Sequence, residues 1–329
     1  MDWKHFNQRS IVKWILSLLC LLLLASGCKQ PEPEADGAAR NSAYSVKDLQ
    51  GYEIRLANKP QRIVSLSIST DEILIDLVDS KRIAALTYLS DDVGISNIAA
   101  KAKSVQGRVQ RANAEALLAM RPDLLLLPDF ASQEEITVLR KAGLNVYVYK
   151  TPANIKEIQQ SIRDIGEAVC EPKRARQLIE KMDRQLEVIA DRLSNIPTEK
   201  RKSVAFVQSE GAYYRRDMTF NDICHKAKVK NALDELHYDK PFIASQEEIV
   251  RLDPDIFILA GWNYDGKHEQ RQMEEELMNN PGYRGVKAVK NKAVYTLPAA
   301  HLLSTSQYIV NAIEDMAQAV YGVDITKKP

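Results

Sequence analysis

Two stretches of the chain, residues 112–127 and 244–259, share one pattern of apolar and polar positions at a constant separation of 132 residues. Each begins a short predicted helix at a good N-cap residue, Asn113 or Ser245. Each helix is predicted to end before a Pro-Asp pair, because the residue that precedes proline is pushed out of helical geometry. Four apolar residues follow each pair, which is typical of a strand buried on both faces in a parallel sheet. The pattern therefore predicts a duplicated helix–strand unit.

The segments around this unit repeat more weakly. Residues 62–67 (RIVSLS) and 203–208 (SVAFVQ) predict the opening strand of each half, and a helical stretch follows each of them. Later strands are predicted at residues 146–149 and 293–297. Strands that alternate with helices over short connections indicate an α/β fold of two lobes, each a central, mostly parallel sheet flanked by helices.

The connection between the halves has helical periodicity. Residues 155–169 predict one helix, and residues 174–193 predict one long charged helix that follows Pro172, a natural first-turn residue. A single long helix is a stiff joint, so we expect two lobes that face each other across a ligand cleft. The predicted boundaries are a first lobe at residues 44–152, a helical connector at 153–197 and a second lobe at 198–329.

The start of the chain is typical of an export signal. A basic segment precedes an apolar run of about a dozen residues, which is too short for a bilayer-spanning helix of about 20. The sequence Ala-Ser-Gly-Cys at 25–28 resembles the lipobox of bacterial lipoproteins, in which the cysteine is lipidated and begins the mature chain. We therefore predict a signal peptide at 1–27, lipidation of Cys28 and a flexible tether at 28–43. An ordinary cleaved signal or a retained anchor would also place the body outside the cytoplasm.

Composition and charge exclude several classes of protein. Hydrophobic residues make up 45% of the 329 residues, enough for a sizeable core, so a disordered or fibrous chain is excluded. The 45 Lys and Arg residues are balanced by 44 Asp and Glu residues, and a chain without a basic surplus lacks the electrostatic footprint of a nucleic-acid binder. Cys170 and Cys224 do not make a disulfide framework; one bond or two free thiols both remain open.

Aromatic residues and arginines follow the predicted strands, and ligands bind beyond the carboxyl ends of strands in open parallel sheets. Aromatic faces suit a large flat ligand, and arginine suits an anionic one. The run 124–127 is also followed by Asp129 and Phe130. The candidate cleft residues are Tyr88, Arg108, Tyr213, Tyr214, Arg215, Trp262, Tyr264 and His301. Ordinary structural roles, such as a half-buried tyrosine at a strand end or a solvated hairpin, are the alternative for each.

Glu115 and Glu247 occupy equivalent places in the two halves, at predicted helix starts where a carboxylate is favoured by the helix dipole. A pseudo-two-fold arrangement would put both on one rim of the molecule. Two like charges at matched positions suit a two-fold symmetric partner that carries two basic sockets. The alternative is that each glutamate only stabilises its own helix.

The chain resembles the substrate-binding lipoproteins that serve ABC importers of iron complexes and cobalamin. The resemblance covers residues 44–321 and is most specific at 62–67 with Asp71-Glu72 and in the two repeated units. In that family, the glutamates that match Glu115 and Glu247 engage arginines of the transmembrane subunits. The resemblance implies a lipid-anchored monomer that partners a permease dimer and its ATPase subunits. It carries no cofactor, and its ligand is a metal chelate: a ferric siderophore or haem, with cobalamin as the alternative.

Ligand identity does not follow from the resemblance. Tyr88 matches a cleft tyrosine of cobalamin binders, but residues 104–107 lack the tryptophan that such proteins can use to cover the corrin. For haem, the candidate axial ligands are His301, Tyr88 and Tyr213, because one His or Tyr can ligate the iron.

Three other functions fit the sequence less well. The four histidines after the signal are widely spaced, which argues against direct binding of bare zinc or manganese. The motifs of nucleophile elbows, phosphate-binding loops and zinc hydrolases are absent, so we predict no enzyme and no catalytic residue. An adhesive or structural lipoprotein would have no use for a cleft rich in aromatics and arginine.

Overall fold

The computed structural model describes residues 44–208, 211–238, 240–261 and 270–323. Cys28, the predicted tether, Trp262 and Tyr264 lie outside these ranges. Within them, no helix combines the length and the apolar character that a membrane span requires.

The first half contains a five-stranded parallel sheet. A short antiparallel hairpin precedes it, formed by β1 (Tyr44–Lys47) and β2 (Glu53–Leu56). The strands of the sheet are β3 (Ile63–Ser65), β4 (Ile83–Thr87), β5 (Gly107–Val109), β6 (Leu124–Pro128) and β7 (Val146–Tyr149). Their spatial order is β5-β4-β3-β6-β7. The helices are α1 (Ile68–Leu77), α2 (Ala99–Ala102), α3 (Ala114–Ala119) and α4 (Gln133–Lys141).

The second half contains a four-stranded parallel sheet of order β10-β8-β12-β13, in which β8 is Ser203–Phe206, β10 is Lys230–Asn231, β12 is Ile256–Gly261 and β13 is Val294–Pro298. A separate antiparallel pair is formed by β9 (Ala212–Tyr214) and β11 (Phe242–Ala244). The helices are α7 (Thr219–Lys226), α8 (Gln246–Leu252), α9 (Gln270–Asn279), α10 (Lys287–Lys290), α11 (Ala299–Leu302) and α12 (Ile309–Tyr321).

The connector consists of α5 (Ile155–Ala168) and the long helix α6 (Pro172–Arg192). The apolar face of α6 buries Ile179, Met182 and Ile189 in a core that contains residues of both halves. Because this core is continuous, the described chain forms a single compact unit. The lobe boundaries therefore stay a prediction, while the α/β class with two parallel sheets is confirmed.

The duplication is visible in the structure. The order β4-β3-β6-β7 in the first sheet matches β10-β8-β12-β13 in the second. The Asp123 carboxylate accepts the Arg62 N–H at 2.9 Å, and the Asp255 carboxylate accepts the Ser203 N–H at 2.9 Å. Each repeated aspartate thus ties the start of the central strand to the start of the opening strand of its own half.

The backbone repeats as well. Arg121 and Asp253 stand just before the two Pro-Asp pairs, and both adopt the left-handed conformation, with φ of 50° and 47°. Non-glycine residues rarely adopt this conformation. Its recurrence at equivalent positions shows that the duplication extends to the backbone that follows each helix.

The two cysteines of the body are free thiols: Cys170 is half-buried and Cys224 is buried. This resolves the alternative that the sequence left open.

Candidate functional site

A cavity of about 250 Å³ lies at the carboxyl ends of β3, β4, β6 and β7. Tyr88 follows β4 and is 51% exposed, and Phe130 follows β6 and is 74% exposed. Thr305, from the second half, completes the lining. None of the described lining residues carries a charged side chain, so this wall suits an apolar or aromatic ligand surface that brings no strong charge with it.

Three hydroxyl groups meet at the wall of this cavity, two of them on its lining residues Ser67 and Tyr149. Ser67 caps the N-terminus of α1, and its Oγ lies 2.7 Å from Thr70 Oγ1 and 2.5 Å from the Tyr149 hydroxyl. Burial raises the pKa of Tyr149, so the phenol stays neutral. The three hydroxyls satisfy one another, and this fixes the end of β7 against the start of α1.

A buried carboxyl group positions the strand end that carries Tyr88. Asp71 is fully buried on α1 and accepts hydrogen bonds from the Thr87 N–H at 3.0 Å and the Thr87 hydroxyl at 2.5 Å. Burial raises the pKa of Asp71 to about 8, although hydrogen bonds from Thr87 and Ser65 oppose the shift. Because Tyr88 is the next residue, Asp71 holds the backbone from which that side chain projects.

The raised pKa of Asp71 predicts a pH dependence of stability. Between the ordinary pKa of 3.8 and the folded-state pKa of about 8, the folded chain keeps a proton that the unfolded chain has lost. The contribution of Asp71 to the free energy of unfolding should therefore fall as the pH rises through this window. Asp71→Asn cannot ionise, so the free energy of the parent minus that of the variant should decline from about pH 5 to pH 8. Urea denaturation of both proteins across this range measures the difference, and a constant or rising difference would contradict the assignment.

Of the six predicted cleft residues that the structure describes, Tyr88 lines this cavity and the other five do not. Arg108 forms a bidentate ion pair with Asp91, with both N–O distances 2.7 Å. Its guanidinium also donates to the carbonyl oxygens of Ala102, Val105 and Gly107. These bonds hold the connection between α2 and β5 inside the first half. We therefore leave Arg108 out of the proposed cleft.

The hairpin residues of the second half divide between core and surface. Tyr214 is only 5% exposed, donates its hydroxyl to Asp234 at 2.7 Å and packs on Phe242, so it is a core residue rather than a cleft residue. Tyr213, on the opposite face of β9, is 38% exposed. Arg215 follows it and forms an exposed ion pair with Asp217. Tyr213 and Arg215 stay predictions for the cleft.

His301 lies on α11, with Nδ1 2.6 Å from an Asp315 carboxylate oxygen. It does not line the cavity that contains Tyr88. In the described part of the chain, no cluster of three or more His, Cys, Asp or Glu side chains could hold a metal ion.

Glu115 and Glu247 are both exposed and occupy the second position of α3 and α8, after the N-caps Asn113 and Ser245. A crevice of about 210 Å³ lies near the start of α3, and one of about 270 Å³ lies against the start of α8. Equivalent residues of the two repeats line these paired crevices: Leu66 and Val207, Ala112 and Ala244, and Leu127 and Leu259. The duplication therefore produces two similar surfaces, each a glutamate near a crevice.

Sequence reasoning missed Thr305 altogether, and it left Phe130 outside the eight candidates although that residue follows a predicted strand. Phe130 could have been found from its place after an apolar run. Thr305 offered no such signal, because it enters the cavity from the other half of the chain.

Comparison with known proteins identifies a matching family and solved structures of the same fold. A family model described as periplasmic binding protein matches residues 63–301. The uncharacterized ABC transporter substrate-binding lipoprotein YvrC of Bacillus subtilis is 25% identical over 94% of this chain and 96% of its own length. A cobalamin-binding protein of Halobacterium salinarum is 22% identical over 74% of this chain and 67% of its own length.

Among solved structures, the periplasmic heme-binding protein RhuT of Roseiflexus in its apo form has the same fold, with a TM-score of 0.67 and 20% identity. The match covers 80% of this chain and 98% of that one.

Proposed function

The chain belongs to the periplasmic binding protein family, and we propose that it captures a bulky metal chelate outside the cytoplasm and delivers it to an ABC importer. The similarity to a substrate-binding lipoprotein along nearly the whole chain supports this role. In this proposal the protein is a monomer that a lipid on Cys28 tethers to the membrane. It binds its ligand without changing it chemically.

The uncharged aromatic cavity carries the proposal for the ligand. Tyr88 and Phe130 present exposed rings over neutral hydroxyls and apolar groups. A strongly anionic ferric siderophore would bring charge to a wall whose described lining residues are uncharged, whereas a flat tetrapyrrole offers a face for stacking. The nearby Arg111 lines the adjoining crevice, which shares Phe130 with this cavity. We therefore propose a tetrapyrrole chelate, with cobalamin or a related corrinoid first. The cobalamin-binding protein of Halobacterium salinarum is a relative in support of this choice.

Haem is the second candidate, and Tyr88 favours it. The Tyr88 hydroxyl has no hydrogen-bond partner in the described chain and stands at the cavity, where a phenolate can ligate haem iron. His301 does not line this cavity, so it could ligate haem iron only at a position outside the cavity.

A titration separates these ligands. Trp262 is the single tryptophan beyond the signal segment, so its fluorescence reports binding to the mature chain. We expect saturable quenching by cobalamin or haem and none by anionic ferric siderophores, with equilibrium dialysis to correct for absorption by the ligands. The ligand should be recovered chemically unchanged. Binding of ferric siderophores alone would overturn the tetrapyrrole proposal, and conversion of the ligand would indicate an enzyme.

We also propose that Glu115 and Glu247 dock the receptor on the two subunits of a permease dimer, whose ATPase subunits drive import. Neither carboxylate has an ion-pair partner in the described part of the chain, and each lies near an open crevice. Two-fold related basic groups on the partner would complement them.

A further inference from the structure

A short segment of the second half, residues 304–308, lies against helix α1 of the first half; we call it the strap. The Ser69 hydroxyl donates to the carbonyl oxygen of Thr305 at 2.8 Å. The Gln307 side-chain amide donates to the main-chain carbonyl of Glu72 at 2.7 Å. These bonds join residues that are more than 200 positions apart, so the strap is a direct contact between the two halves of the chain.

Glu72 is the centre of this contact. Its side chain is 2% exposed. One carboxylate oxygen accepts the N–H and the side-chain amide of Asn97, at 2.9 and 2.8 Å. The other accepts the hydroxyls of Ser306 and Ser304, at 2.5 and 3.4 Å. A buried carboxylate is tolerated when hydrogen bonds satisfy its oxygens, and here the donors come from both halves.

A second contact lies one turn further along α1. Asp76 accepts the side-chain amide of Gln307 at 3.0 Å and the hydroxyl of Tyr308 at 3.1 Å. Lys101 bonds the other oxygen of Asp76 at 2.5 Å and reaches the Tyr308 hydroxyl at 3.0 Å. Both ends of the strap are therefore attached to the same helix.

The strap carries Thr305 into the lining of the ligand cavity. We propose that Glu72 is a positioning residue that fixes the strap, and with it the position of Thr305 at the wall of the cavity. The part that concerns the ligand rests on the proposed function. The attachment of the strap does not.

Asp71 provides a matched control. It carries the neighbouring buried carboxyl group on the same helix, but its bonds to Thr87 stay inside the first half. Asp71→Asn should therefore disturb the end of β4 and leave the strap in place, whereas Glu72→Gln should release the strap. In Glu72→Gln one of the two carboxylate oxygens becomes an NH2 group, which cannot accept, so the donors that face that oxygen lose their acceptor.

The experiment measures amide hydrogen exchange of the whole mature chain without ligand. We expect exchange in residues 304–308 to be about tenfold faster or more in Glu72→Gln, with β6 unchanged. Asp71→Asn should leave strap exchange within about twofold of the parent. Strap exchange at the parent level in Glu72→Gln, or equal effects of the two variants on the strap, would overturn the proposal.

Ser306→Ala is a milder second variant that tests the same contact if the Glu72 variant does not fold. It leaves three of the four donors to Glu72 in place. It should speed strap exchange in the same direction by a smaller factor, and no effect would contradict the role of Glu72.

With the chelate found by titration, Glu72→Gln should weaken binding about tenfold if Thr305 is part of the site. Faster strap exchange without weaker binding would keep the attachment and remove the ligand role. Failure of every chelate to bind the parent would instead remove the proposed function.

Discussion

Reversal of the two glutamates that we propose for docking, Glu115→Arg with Glu247→Arg, should abolish uptake and weaken the complex with the permease by about a hundredfold or more. Loss of one partner from a close charge pair costs roughly 2–5 kcal/mol, and reversal adds repulsion between like charges on both sides. Ligand affinity should stay within about twofold of the parent, because both side chains are exposed and neither lines the cavity. Uptake in whole cells and binding of the purified receptor to permease in membranes measure the two effects.

The matched control reverses Glu180 and Glu187, two exposed glutamates on the connecting helix α6. It changes the net charge by the same amount, so it separates docking from a general electrostatic effect. Uptake that survives in the Glu115 and Glu247 variant, or is lost equally in the control, would remove the docking assignment and leave ligand capture untouched.

Removal of the exposed rings from the cavity should have the second large effect. Tyr88→Ala and Phe130→Ala should each weaken chelate binding by about tenfold or more, and together by about a hundredfold. Each substitution removes buried apolar area and a stacking contact from the complex with the chelate. A tenfold loss of affinity corresponds to only about 1.4 kcal/mol. Titration of the chelate against the three variants gives the affinities.

Tyr295→Ala is the control for this series, since Tyr295 is 37% exposed and lies on β13 outside the cavity lining. It should leave affinity unchanged. Parent-like affinity in the double variant would place the ligand elsewhere, and the second-half candidates Tyr213 and Arg215 would then be tested in the same way.

The duplicated architecture was predictable because it depends on local pattern. The separation of 132 residues, the Pro-Asp pairs and the apolar runs led to the correct central strands. The long helix predicted at 174–193 is observed at Pro172–Arg192. The equivalence of Glu115 and Glu247 followed from the same offset, and both hold the same helical position.

The side-chain partners could not be predicted, because they depend on contacts between distant parts of the chain. Nothing near Arg108 in sequence shows that its guanidinium donates to Asp91 and to three main-chain carbonyl groups. A three-residue strand such as β9 is too short for its alternation to show that Tyr213 faces outward and Tyr214 inward. The Asp71-Glu72 pair was visible as part of a family motif, but its two separate roles follow only from the positions of Thr87 and Ser306.

The internal duplication has a consequence for delivery. If the permease is a homodimer, the receptor can settle on it in two poses related by half a turn, with each glutamate facing either subunit. The statistical advantage is only a factor of two, about 0.4 kcal/mol, but the chelate would reach the permease in two opposite orientations. The translocation path of such a permease has to accept the chelate in both orientations.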